Sequence, residues 1–209
     1  MKKTIKLGEK VMVSDPCYGL NTWCQGVLEN VLPGTYNCEV EYKDGGDWGV
    51  RVSAIEVTHE DYAYEMFEPE DFEVGVDSGQ AGIFDYDYYC QYHTDSNDRE
   101  HVDDDWYNRV GDLTLERVKN PNYERFNWDV PNEPIEAKIK RYDEYEASEK
   151  YWMYLEKLTA NPIDNLGFVS SSGYGDGGYT CYTSKNKDGK INAIRIEFIS
   201  DDEELDDEE

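Results

Sequence analysis

Apolar and polar positions alternate over much of the chain, which predicts strands more often than helices. From Thr4 to Asp15, Ile5-x-Leu7 and then Val11-Met12-Val13 read as extended, ending at Asp15-Pro16 because proline brings no backbone donor to a ladder. Cys17-Tyr18-Gly19 turns the chain, and Trp23 to Leu32 reads as a short helix or irregular segment closed by Pro33-Gly34. Thr35–Tyr42 and Trp48–His59 read as an antiparallel pair joined through the glycines of Lys43–Asp47. Phe72–Asp77 and Ala81–Tyr86 read as a second pair about Ser78-Gly79-Gln80. Near the C-terminus, Gly167–Ser172, Tyr179–Ser184 and Ile191–Ile199 read as three antiparallel strands, the last alternating Ile194, Ile196 and Phe198 with Arg195 and Glu197.

Two stretches carry a helical period. Asp103 or Asp104 caps a helix through Trp106, Tyr107, Val110 and Leu113, although Gly111 costs it about 1 kcal/mol relative to alanine. Glu144–Leu158 brings Tyr145, Trp152, Met153, Leu155 and Leu158 near helical spacing, with Glu149 and Lys150 on polar positions, and Asn161-Pro162 ends it. Residues 119–134, with three prolines and four asparagines, read as a loop or insertion. The order of elements predicts one α+β domain over residues 1–200: a mostly antiparallel sheet or small sandwich with one or two helices.

Charge changes this picture because it is uneven. Of the net −27, residues 60–105 hold sixteen acids against Arg99 alone, and 201–209 add eight acids. The tail reads as a solvated, disordered acidic segment. No basic stripe exists to displace counterions from phosphates, so direct nucleic-acid binding is not expected, whereas a basic protein surface is electrostatically favoured. No apolar run is long enough for a membrane span, and the lysines near Met1 precede no hydrophobic segment, so the expected location is the cytoplasm. Five scattered cysteines read as free thiols, unlike a disulfide framework.

Three segments carry a resemblance: Ser14-Asp15-Pro16-Cys17-Tyr18 with Val31-Leu32-Pro33-Gly34, then Val76-Asp77-Ser78-Gly79-Gln80 through Asp85, and Ser170 through Gly173-Tyr174-Gly175-Asp176-Gly177-Gly178-Tyr179. Together they resemble a family of uncharacterised bacterial and phage proteins with an Asp-x-Gly-Gln strand and a Gly-Asp-Gly-x-Tyr hairpin. The resemblance implies a bacterial or phage source, prophage included, but no activity.

Motifs for chemistry are incomplete. Asp77-Ser78-Gly79 matches the aspartic-protease triplet, but only one copy is present where two carboxylates must share a proton. Cys17 with His59, His93 or His101 could make a thiol hydrolase, and Cys90-x-x-His93 half a zinc site; neither has a second half with recognisable spacing. No motif calls for a cofactor. A divalent cation, Ca²⁺ or Mg²⁺, is the one such ligand that Asp15, Asp77, Asp85 and Asp176 could take together.

Two functional readings follow. In the first, the acidic surface of Asp95, Asp98, Glu100, Asp103, Asp104 and Asp105 engages a basic host protein, its carboxylates standing in for nucleic-acid phosphates. In the second, a small hydrolase or ligand-binding module gathers Asp15, Tyr18, Asp77, Ser78, Gln80, Asp85, Asp176 and Tyr179 around a pocket. The sequence leans away from an enzyme.

Overall fold

A computed structural model of the chain describes residues 2–63, 66–148 and 150–200. Glu149 and the acidic tail 201–209 lie outside the described residues. In chain order the elements are β1 (Thr4–Leu7), β2 (Lys10–Ser14), β3 (Gly26–Glu29), β4 (Gly34–Asp44), β5 (Val50–His59), β6 (Glu68–Val76), β7 (Gln80–Asp85), α1 (Tyr86–Tyr92) and α2 (Asp104–Thr114). They continue with β8 (Leu115–Lys119), α3 (Ile135–Glu146), β9 (Tyr154–Leu158), β10 (Ala160–Ile163), β11 (Gly167–Ser171), β12 (Gly177–Lys185) and β13 (Ile191–Glu197).

The fold is α+β, with antiparallel sheets packed as a sandwich. One sheet has the order β1-β4-β5-β13-β12-β6 and the other β10-β11-β7-β2-β3. Val11, Val13, Ala81, Ile83 and Phe168 of the second sheet meet Tyr36, Val52, Ile55, Val57, Ile194 and Ile196 of the first in one buried cluster. Where β3 and β6 approach each other, the Phe72 ring lies against Gly26 in space that any β-carbon would fill.

The second sheet is buried on its other face too. Met12, Phe84 and Val169 pack there against Tyr88 and Tyr89 of α1 and Trp106 and Val110 of α2. This explains why β2 and β7 read as nearly continuous apolar runs: both faces exclude water. Asp85 accepts from Tyr88 N (3.1 Å) and Asp103 from Trp106 N (2.8 Å), capping the two helices.

The contacts divide the chain into two compact units: one runs up to Leu115 and from Leu158 onward, and the other is Glu116–Lys157. The loop expected over 119–134 falls inside the second unit, which consists of the β8–β9 ribbon, α3 and intervening turns.

Several sequence expectations are corrected. Gly26–Glu29 is a strand, where a helix or irregular segment was expected; β2 offers its edge there, pairing Val11 with Leu28. The segment 144–158 is not one helix: α3 spans Ile135–Glu146, and Tyr154–Leu158 is a strand. The last turn tightens as Ser148 N bonds Tyr145 O, and Tyr145 and Trp152, which imitated a helical stripe, each instead meet the Tyr151 ring. Nor do β6 and β7 pair with each other, or β11 with β12; each pair of consecutive strands crosses from one sheet to the other.

Candidate functional site

These two crossings, Asp77–Gly79 and Ser172–Asp176, touch: Ser172 N donates to Gly79 O (3.0 Å). β2 ends against them, so three segments remote in sequence meet at one corner of the sandwich. Asp15 joins them. Its side chain is 0% exposed. One carboxylate oxygen, Oδ2, accepts from Asp77 N (2.9 Å) and Ser78 N (2.8 Å), and the other, Oδ1, from Cys17 N (2.8 Å) and Ser78 Oγ (2.7 Å). A carboxylate out of water is tolerated only when its acceptors are filled, and here each oxygen has two donors. The Tyr107 hydroxyl of α2 lies in the neighbourhood of Ser78.

The Asp15–Tyr18 turn is pinned through its carbonyls as well. Tyr89 Oη donates to Tyr18 O (2.6 Å) and Asp15 O (3.2 Å), while His93 Nε2 lies 3.0 Å from Pro16 O and His101 Nε2 3.3 Å from Cys17 O. His93 stacks on Tyr89 at 3.6 Å and points Nδ1 at Tyr89 O (2.9 Å). Burial holds His93 below the ordinary histidine value, with the two carbonyl contacts acting the other way. Burial first, then the Asp15 carboxylate, pushes the Cys17 thiol far above its ordinary range. Cys17, His93 and His101 therefore share a neighbourhood without forming a nucleophile and base: the thiol keeps its proton, and the ring nitrogens face carbonyls.

Two clefts flank this turn. The larger, about 750 Å³, is lined by Cys17, His93 and Tyr107 together with Glu100, Asp103, Asp104 and Arg99. The smaller, about 290 Å³, lies between Tyr18, Trp23 and the Gly177–Gly178 backbone, with Glu73, Asp77 and Asp176 around it. Burial first, then the neighbouring Asp77 carboxylate, raises the Tyr18 hydroxyl far above the ordinary tyrosine value. The corner presents hydrogen-bond acceptors, aromatic faces and negative charge.

Over residues 8–196 the sequence matches a family described as "Protein of unknown function (DUF4241)". The chain belongs to this family. None of the curated proteins and none of the solved structures matches it. The match to DUF4241 takes in all three segments that converge on Asp15.

In this DUF4241 chain the residues singled out in the sequence are distributed as follows. Asp15, Tyr18, Asp77, Ser78 and Asp176 gather at the corner, with Asp15 beneath the surface and Tyr18, Asp77 and Asp176 around the smaller cleft. Tyr179 closes the adjoining turn, donating to Gly175 O (2.6 Å) and Ser172 O (3.2 Å). Gln80 pairs with Ser171 in the β7–β11 ladder, beside Gly111 of α2. Asp85 is at the far end of β7, bound to Gly8 N (2.9 Å) and Tyr88 N, so the four aspartates do not converge. Among the described residues, no three His, Cys, Asp or Glu side chains are grouped to hold a metal ion.

Asp95 organises a turn through Asn97 N (3.0 Å) and Asn21 Nδ2 (3.0 Å), and the backbone bond from Asn97 leads the causes holding its carboxyl below the usual value. Asp98 O lies 3.0 Å from His101 Nδ1, and Asp105 is exposed in the first turn of α2. Trp23, Glu73 and Tyr107 are the contributors that sequence reasoning missed. Trp23 sits in a polar Asn-Thr-Trp-Cys-Gln run, an unusual place for a core side chain, which was the available signal. No described helix is long and apolar enough to cross a membrane.

Proposed function

We propose that this chain is a binding domain whose carboxylates around the Asp15–Tyr18 turn engage a basic protein surface. The observation that carries the reading is the lining of the two clefts: Glu100, Asp103 and Asp104 on one side, and Glu73, Asp77 and Asp176 on the other, against Arg99 as the one lysine or arginine in either wall. Carboxylates crowded at a concave surface attract cations and speed their encounter. The turn between the clefts is anchored at both its N–H groups and its carbonyls, so the backbone that separates them needs little ordering on binding.

The partner this chemistry fits is a protein whose basic face otherwise takes a nucleic-acid backbone, with carboxylates in place of phosphates. In a phage-borne gene the natural target is a host defence or nucleic-acid-binding protein, met in the host cytoplasm. No catalytic step is part of this reading: Asp15 is committed to backbone donors and Cys17 to its proton.

The test is capture from host lysate at low ionic strength, followed by reconstitution with the purified retained protein. Affinity is expected to fall at least tenfold, about 1.4 kcal/mol, between about 50 and about 200 mM salt. It should also fall in Glu100→Gln/Asp104→Asn and Asp77→Asn/Asp176→Asn double variants. Glu136→Gln/Asp143→Asn on α3 removes the same charge from the other unit and serves as control. Equal loss in the control, or binding indifferent to salt, would overturn the reading.

A further inference from the structure

The smaller cleft has features that general acidity does not explain. Trp23 is 93% exposed, the most exposed of the large apolar side chains described. The turn that carries it is locally fixed, Thr22 N bonding Gln25 Oε1 (3.1 Å) and Thr22 Oγ1 bonding Gly19 O (2.8 Å), so the exposed ring projects from an ordered backbone. An ordered tryptophan left in water costs transfer free energy that a partner can recover, which is why such rings concentrate at binding hot spots.

Gly177 and Gly178 also line the cleft and present bare backbone to it. Gly178 pairs with Gly75 across the β12–β6 ladder, and a β-carbon added to it would stand 3.0 Å from Glu73 Oε2. The absence of a side chain at Gly178 therefore leaves the Glu73 carboxylate uncrowded. Glu73, Asp77 and Asp176 supply acceptors, and no lysine, arginine or histidine lines the cleft.

A cleft lined by an exposed tryptophan, bare glycine backbone and several carboxylates has the chemistry that a guanidinium group uses. That cation is planar, stacks on aromatic faces, and forks two N–H groups toward a carboxylate. An ammonium is a compact, strongly hydrated point charge and uses neither the flatness nor the fork. A neutral sugar would stack on Trp23 but leave the concentration of negative charge uncompensated.

We propose that the cleft between Trp23 and Gly177–Gly178 is a guanidinium site that receives one arginine side chain of the basic partner. This rests on the binding function proposed above and specifies which cation the surface selects.

The test uses the full chain and small probes, which separates it from partner binding. Indole N–H signals are followed by NMR while N-acetyl-arginine amide, N-acetyl-lysine amide or glucose is added, with the Trp23 signal assigned by its loss in Trp23→Phe. The arginine compound is expected to shift the Trp23 signal saturably. The lysine compound should bind at least about fivefold more weakly, and glucose should leave the signal in place. Asp77→Asn/Asp176→Asn should weaken arginine binding about tenfold. Gly178→Ala, which crowds Glu73 without touching Trp23, should weaken it as well.

Equal shifts with arginine and lysine compounds, a shift with glucose, or an unmoved Trp23 signal would each overturn the site. If partner binding stays salt-dependent while the arginine compound fails, this inference falls and the binding function stands. If the compound binds as described but no basic protein does, the function falls and the guanidinium chemistry of the cleft remains.

Discussion

The two compact units of this chain reach order by different chemistry. The larger buries aliphatic side chains between two sheets and aromatic ones between a sheet and two helices. In the smaller, α3 buries none of its side chains. Order there centres on Phe126, whose ring lies 4.7 Å from Trp128 and 5.1 Å from both Tyr142 and Tyr145, with the Arg141 guanidinium 4.3 Å above it. Arg141 also grips Glu133 through two 2.7 Å bonds. A segment of this length cannot enclose an aliphatic core, and rings do better because each covers a large area from one position.

Charge divides the same way. Residues 116–157 hold ten acids and eight bases of the chain's 47 and 20, leaving 37 acids and twelve bases for the remainder. Negative charge is thus concentrated on the unit with the stronger core, which can tolerate the self-repulsion.

The sharpest way to break this comparison is a paired truncation. Trp106 is 1% exposed, donates its indole N–H to Tyr88 Oη (2.8 Å) and stacks on Tyr92 at 5.6 Å. Trp106→Ala should cost about 3–5 kcal/mol of global stability by denaturant unfolding. Phe126→Ala should instead raise hydrogen exchange within 116–157 and leave the main unfolding midpoint in place. A matching loss of midpoint in both variants would show that the units unfold as one.

Next in size is Asp15→Asn. One amide oxygen cannot accept all four bonds, and the new NH₂ would face the donors of Asp77 and Ser78 or of Cys17. A loss of about 2–4 kcal/mol is expected, with exchange protection falling at 15–18 and 77–79 first. A variant as stable as the parent would mean that the corner is not fastened through this carboxylate.

The smallest effect concerns Glu56, on the outer face of the first sheet. Burial is the main cause raising its carboxyl above the ordinary value, with Glu39 and Glu41 adding to it and Thr58 and Arg195 opposing. The folded state therefore holds this proton more tightly than the unfolded state. The associated stabilisation is full below the unfolded value of about 4.5 and is lost as pH rises through the higher folded value. Glu56→Gln should raise stability at pH 7 by up to about 1 kcal/mol and flatten its decline above pH 4.5; an unchanged pH profile would count against this.

Much of the larger unit was legible because alternation names a strand whichever sheet it joins. The sheet assignments were not, since the two crossings at Asp77–Gly79 and Ser172–Asp176 look like hairpin turns locally and differ only in distant partners. α1 was missed because Tyr-Asp-Tyr-Tyr-Cys-Gln-Tyr has strand-like composition; the cap Asp85, three residues before Tyr88, was the overlooked signal. At the corner, the glycine-bounded aspartates stood out in the sequence. What each does was hidden, because burying Asp15 and exposing Asp77 depends on hydrogen bonds spanning 62 residues. In the smaller unit the tyrosines and tryptophans fell near helical spacing by coincidence, and only ring geometry tells a cluster from a helix face.

The junction between the units has its own consequence. Thr159 N donates to Thr114 O (3.0 Å) and Asn161 Nδ2 to Leu113 O (2.7 Å), so the chain leaves and re-enters the larger unit at bonded neighbours. With its ends already stapled, the intervening stretch can lengthen or shorten at only about 0.6 kcal/mol of closure entropy per doubling. That makes it a natural graft point: a short turn joining Leu115 to Leu158 should spare the sandwich.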